Sequence, residues 1–103
     1  DMAIVQYENA ILRKPDMVSA YNNIANILDM EGRYDEAMDY YKRAIAISPQ
    51  FPNAYFNLSN TLKKLGRTIE SSRNLRLAID LYRKEKNDAM VAAAQERLQK
   101  LIE

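Results

Sequence analysis

The chain has 103 residues, is 48% apolar and 28% charged, and contains two Gly, three Pro, no Cys and no His. Without Cys there is no disulfide framework, no Cys-ligated zinc and no thiolate nucleophile, and without His the usual neutral-pH general base is missing. A net charge of +1 implies no bulk attraction to nucleic acid, and no apolar run approaches the ~18 residues of a membrane span or the layout of a signal peptide.

Residues 2–13 have the spacing of an amphipathic helix, with Ala3, Tyr7, Ala10 and Ile11 on one face. Pro15 ends it, because the residue before a proline is pushed out of the helical region. The next helix is expected from about Asp16 or Met17 to Met30, with Asp16 as its N-cap. Gly32 then supplies the left-handed residue that closes a helix. A partner helix follows over 35–47 and stops at Pro49. The pattern restarts near Pro52, which is tolerated in a first turn, runs to Leu65, turns at Gly66 and resumes near Thr68. No proline stops this second helix, so it is expected to continue through Lys84. A last helix over 88–102 carries an apolar stripe of Met90, Val91, Ala94, Leu98, Leu101 and Ile102. Its other face, with Gln95, Glu96, Gln99 and Lys100, is expected to turn to water as a solubilising cap.

A single interval relates these segments. Ala20, Tyr21, Asn23, Asn26, Leu28, Gly32, Arg33, Ala44 and Ile45 recur 34 residues later as Ala54, Tyr55, Asn57, Asn60, Leu62, Gly66, Arg67, Ala78 and Ile79. The opening helix obeys the same interval, because Ala3, Tyr7, Ala10, Ile11 and Pro15 precede Ala37, Tyr41, Ala44, Ile45 and Pro49. Two helices per unit at a fixed period indicate a helical solenoid. The reading is a single domain over 1–103: the second helix of a truncated repeat at 1–15, full repeats at 16–50 and 51–86, and a capping helix at 87–103. The opening half repeat points to a fragment of a longer protein.

The 34-residue unit, the small Ala25 and Ser59 beside Ile24 and Leu58, the turn glycines, and Tyr34, Ala37, Tyr41, Ala44 and Pro49 together resemble the tetratricopeptide repeat (TPR) family. The resemblance implies an all-α, α-solenoid fold of helix-turn-helix repeats. It also implies a right-handed superhelix whose concave groove is lined by the first helix of each repeat. By the same resemblance the chain holds a protein or peptide segment, is not an enzyme and uses no cofactor. The stretches AYNNIANIL and AYFNLSNTL are similar to the TPR array of O-linked N-acetylglucosamine transferase, where an asparagine ladder grips substrate peptides. Asn23 and Asn57 would be the rungs.

The peptide-binding candidates are therefore Asn22, Asn23, Asn26, Asn57 and Asn60, with Lys63 and Lys64. Residues three apart share a helix face, and a carboxamide offers two donors and an acceptor to an extended backbone. The alternative is that these asparagines bond within the repeat stack. Lys63 and Lys64 stand where Asp29 and Met30 stand in the first repeat, which would favour acidic residues in the partner near the second repeat. The family's carboxylate clamp needs Lys, Asn, Asn, Lys and Arg. The matching places hold Asn22, Asn26, Asn57, Asn87 and Val91, so every cation is missing and that partner class is rejected.

Five tyrosines, Tyr7, Tyr21, Tyr34, Tyr41 and Tyr55, fall on core positions, while Tyr40 is expected on the outer surface. The carboxylates Asp35, Glu36 and Asp39 read as dipole-favouring acids at a helix start rather than as a metal site. Charge is uneven: residues 1–50 carry five Lys/Arg against eight Asp/Glu, and residues 51–103 ten against six. The leading expectation is a protein–protein interaction scaffold, with no nucleic-acid or membrane partner and a cytoplasmic setting by default. Two other readings remain. One is self-association into homo-oligomers through a repeat edge formed by Ile4, Tyr7 and Ile11. The other is a substrate-docking arm of a larger enzyme such as a glycosyltransferase.

Overall fold

The structure, a computed structural model, describes residues 2–102. Among them are six helices and no strand: α1 (Met2–Arg13), α2 (Val18–Met30), α3 (Tyr34–Ile47), α4 (Pro52–Lys64), α5 (Thr68–Lys84) and α6 (Asp88–Ile102). They form two compact units, one ending at Pro49 and the other beginning at Gln50. In the first, α2 and α3 make an antiparallel hairpin with α1 against α2. In the second, α4 and α5 make the hairpin and α6 packs on α5.

The helix limits follow the sequence signals to within a residue or two. Asp16 is the exception. The cap position of α2 is Met17, and no side chain bonds to the helix start. The turn after Pro15 is instead tied down by Tyr21, whose hydroxyl donates to the Pro15 carbonyl at 2.9 Å.

Each hairpin closes by the same backbone device. Gly32 and Gly66 take φ of +79° and +77°. Beyond them, Arg33 N donates to Leu28 O and Arg67 N to Leu62 O, both at 2.9 Å, while Gly32 N and Gly66 N reach Asp29 O and Lys63 O at 3.0 Å. This is the six-to-one, five-to-two pattern that absorbs the last helical carbonyls. The end of α5 repeats it without glycine. Lys86 sits at φ 57°, with Lys86 N on Arg83 O and Asn87 N on Tyr82 O. A left-handed residue with a Cβ is strained by roughly 1–2 kcal/mol.

The cores are built on small residues at the helix crossings. In the first unit Ala20, Ala25, Ala37 and Ala44 are no more than 1% exposed, which lets Ile24, Leu28 and Tyr41 fill the space between helices. In the second unit Ala54 and Ala78 keep their roles, but Ser59 and Ser71 replace Ala25 and Ala37. The replacement is accommodated by a bond, as Ser71 Oγ donates to the Ser59 carbonyl at 2.7 Å. Leu75 occupies the place of Tyr41, and α6 lays Ala94, Val91, Leu98 and Leu101 against Leu75 and Ile79.

The closing turns give a direct test by thermal or urea unfolding. Gly66→Ala should lower stability by about 1 kcal/mol although an added Cβ meets nothing within 4 Å, because the cost is backbone strain. Lys86→Gly should raise it by up to ~1 kcal/mol, since the relief exceeds the added chain entropy.

Candidate functional site

The asparagines of α2 have three different environments. Asn22 is buried, 7% exposed, within the helix packing. Asn26 is half-buried, and its carboxamide oxygen accepts a hydrogen bond from the Tyr41 hydroxyl across the hairpin. Asn23 is half-buried and enters no side-chain hydrogen bond among the described residues. The first hairpin thus employs Asn26 as a structural lock and leaves Asn23 available.

The second hairpin distributes the same residues otherwise. Asn57 is half-buried, and its backbone carbonyl accepts from the Thr61 hydroxyl at 3.5 Å. Asn60 stands one period after Asn26, but Leu75 has replaced the tyrosine that would donate to it. Its carboxamide has no hydrogen-bond partner among the described residues. The tyrosine lock has moved to the other end of the helix: Tyr82, 1% exposed, donates to the Asn53 carboxamide oxygen.

The released Asn60 lines a cleft of about 360 Å³ between α4 and α6, with Lys63, Ala93, Glu96, Arg97 and Lys100. Three cations face one carboxylate there. Glu96 pairs with Lys100 at 3.2 Å, both exposed. Arg97 is held differently: its guanidinium carbon lies 4.0 Å over the Phe56 ring, and Phe56 meets Tyr82 edge-on with centroids 6.2 Å apart. Such stacking suits the planar guanidinium. Partial burial holds the Arg97 pKa below its usual value, with the nearby Tyr82 acting in the opposite direction. Lys64 is exposed but lies outside the cleft lining.

Glu96 and Lys100 are exposed, as expected for the polar face of α6, and also line the cleft, whereas Arg97 carried no expectation. A signal existed, since Arg97 stands one period after Lys63. Of the tyrosines expected in the core, Tyr21, Tyr41 and Tyr55 are buried, whereas Tyr7 and Tyr34 are half-buried. Tyr40 is not fully on the outer surface. It is half-buried with its ring 6.4 Å from that of Tyr21, and the Arg43 guanidinium lies 4.9 Å from its centroid. Asp35, Glu36 and Asp39 are all exposed, and Glu36 pairs with Arg33 at 2.6 Å. Asn87, one of the clamp positions, caps α6 by accepting from Met90 N at 3.2 Å.

Two tetratricopeptide repeat models match the chain, at residues 18–51 and 40–71, together more than half of it. The chain belongs to the tetratricopeptide repeat family. No curated protein matches its sequence significantly. Solved TPR-like structures do share the fold. The translocator chaperone SycD of Yersinia enterocolitica is 17% identical with a TM-score of 0.84, over 92% of this chain and 66% of that one. The TPR2AB domain of yeast Sti1, solved with pHSP90, is 20% identical with a TM-score of 0.90, over 97% and 39%. PcrH, solved with the chaperone-binding region of PopD, is 14% identical with a TM-score of 0.86, over 93% and 73%. The chain therefore spans about two thirds or less of the first two.

The buried Tyr82 hydroxyl gives a pH test. Burial, with a smaller push from Glu85 and an opposing pull from Arg97, raises its pKa to about 12. The unfolded chain ionises near 10, so the folded state holds the proton longer. Its stabilising contribution is complete below pH ~10 and is lost as pH rises toward about 12. Urea unfolding should show stability falling over that interval. Tyr82→Phe should begin lower, by ~1 kcal/mol for the lost Asn53 bond, and fall less steeply. An unchanged slope would contradict the assignment.

Proposed function

We propose that the chain is a scaffold that holds an extended protein segment, with the carboxamides on the first helix of each hairpin as its backbone grips. The observation that carries this reading is that Asn23 on α2 and Asn60 on α4 keep unsatisfied donors and acceptors on partly exposed helix faces. An asparagine side chain can pair with both C=O and N–H of an extended chain, so recognition would tolerate varied partner sequences. Asn57, one period after Asn23, is the second rung of the proposed ladder. Each rung contributes only ~0.5–1.5 kcal/mol net, so affinity requires several.

Two of the structural neighbours support the reading, as Sti1 was solved with pHSP90 and PcrH with a region of PopD. The finer likeness to the array of O-linked N-acetylglucosamine transferase rests on AYNNIANIL and AYFNLSNTL alone. As the substrate-docking arm of such an enzyme the chain would use the same grips. Self-association is the second reading. It is favoured by α1, where Leu12 is 81% exposed and Val5 49%, beside a cavity of about 260 Å³ lined by Ile11, Leu12, Tyr21 and Tyr40. Light scattering across a concentration series separates the two, since a strict monomer removes the second.

The scaffold reading is tested with decapeptides selected from a random library on the wild-type chain. Asn23→Ala with Asn57→Ala should weaken the selected peptides roughly tenfold while the melting temperature changes by only a few degrees. Unchanged affinity with a marked fall in melting temperature would assign the asparagines to the fold instead.

A further inference from the structure

We propose that the α4–α6 cleft is a seat for an acidic side chain of the partner segment, an inference that rests on the scaffold reading. Lys63, Arg97 and Lys100 bring three positive charges to one cavity of about 360 Å³, against the single carboxylate of Glu96. Glu96 is engaged by Lys100 at 3.2 Å. Lys63 and Arg97 make no ion pair with an acid among the described residues. Asn60 adds a carboxamide whose N–H groups have no partner among the described residues; Leu75 in place of the tyrosine that donates to Asn26 leaves its oxygen unpaired as well.

Arg97 is the part of this seat that is fixed in advance. It is stacked at 4.0 Å on Phe56, which is itself braced by the edge of Tyr82. The guanidinium plane is thereby held while the cost of ordering it has already been met in folding. Partial burial works against its charge, and an incoming carboxylate would relieve that. A carboxylate accepts two parallel bonds from such a fork, with Lys63 as a second point charge and Asn60 as a neutral donor. The cavity is several times the volume of a carboxylate, which fits an Asp or Glu arriving on a longer chain with neighbouring atoms around it. The cations belong to the end of α4 and the C-terminal half of α6. They are not at the Asn87 and Val91 places, where the terminal-carboxylate clamp of other TPR domains would need them.

The test uses two random decapeptide libraries selected on the wild-type chain, one with amidated and one with free C-termini. The expected result is enrichment of Asp or Glu at an internal position in both libraries. Affinity for a selected peptide should fall roughly tenfold when its acid is changed to the amide. Arg97→Gln should erase that difference. Lys63→Gln, an exposed change that leaves the Phe56 stack alone, should shrink it about threefold. Glu96→Gln removes the opposing carboxylate and should tighten acidic peptides two- to fivefold, by about the worth of one exposed charge, which a purely structural role for Glu96 would not do. Melting temperatures of the three variants identify any that lose the fold.

Peptides recovered without acidic enrichment, or bound equally by Lys63→Gln and wild type, would overturn the seat and leave the asparagine grips standing. Enrichment confined to free C-termini would also overturn it, since the seat would then read a chain end. If neither library yields a binder, the scaffold reading itself fails and the seat fails with it.

Discussion

The close approach of two helices within a hairpin is the constraint on which the rest depends. Helix axes can come together only where one side lacks bulk, and the residues at these crossings are Ala20, Ala25, Ala37 and Ala44 in one unit and Ala54, Ser59, Ser71 and Ala78 in the other. Every large core side chain fills space that those small residues leave. The hairpins also need a sharp reversal, and Gly32 and Gly66 provide it through the left-handed region. With packing and turn fixed in this way, the polar residues of the first helix in each hairpin take different duties: Asn26 and Asn53 bond across their hairpins, while Asn23 and Asn60 have no side-chain hydrogen bond among the described residues.

The two hairpins show what variation does. A tyrosine at position 41 bonds Asn26 and removes it from solvent competition. Leucine at position 75 packs equally well, but it has no hydroxyl, so Asn60 is released into a cationic cleft. The lost cross-hairpin bond is replaced elsewhere, by Ser71 on the Ser59 carbonyl and by Tyr82 on Asn53. Hydrogen bonds still join the helices of the second hairpin, at other positions, while the polar surface changes. This is how a repeat can diverge in function without losing its fold: the bond that holds the helices together moves, and the side chain it formerly occupied becomes available.

Most of the architecture was legible in the sequence because its physical causes are local. Period, apolar spacing, turn glycines and prolines locate α1 through α6 to within a residue or two. The discrepancies have specific reasons. Asp16 looked like an N-cap, but Tyr21 fixes that turn through Pro15, a contact six residues long that no capping rule describes. Lys86 takes a glycine's conformation where Asn87, bonded back to Tyr82 O, caps the start of α6. Tyr82 lies beyond the repeated core positions, and only its spacing from Leu75 and Ile79 on one helix face foreshadows its burial. The cleft was illegible for a different reason. Its charges come from α4 and α6, helices distant in sequence, and Arg97 is positioned by Phe56 rather than by any neighbour along the chain.

The central claim is that asparagine side chains on α2 and α4 are the contact surface for a bound chain. Side-chain amide signals report this directly. On titrating the isotopically labelled protein with a selected decapeptide, the Asn23, Asn57 and Asn60 side-chain NH2 resonances should shift with saturation. The resonances of α3 and α5 residues facing away, such as Asn74, should stay in place. Shifts confined to α3 or α5, with the α2 and α4 carboxamides unmoved at saturation, would contradict the account.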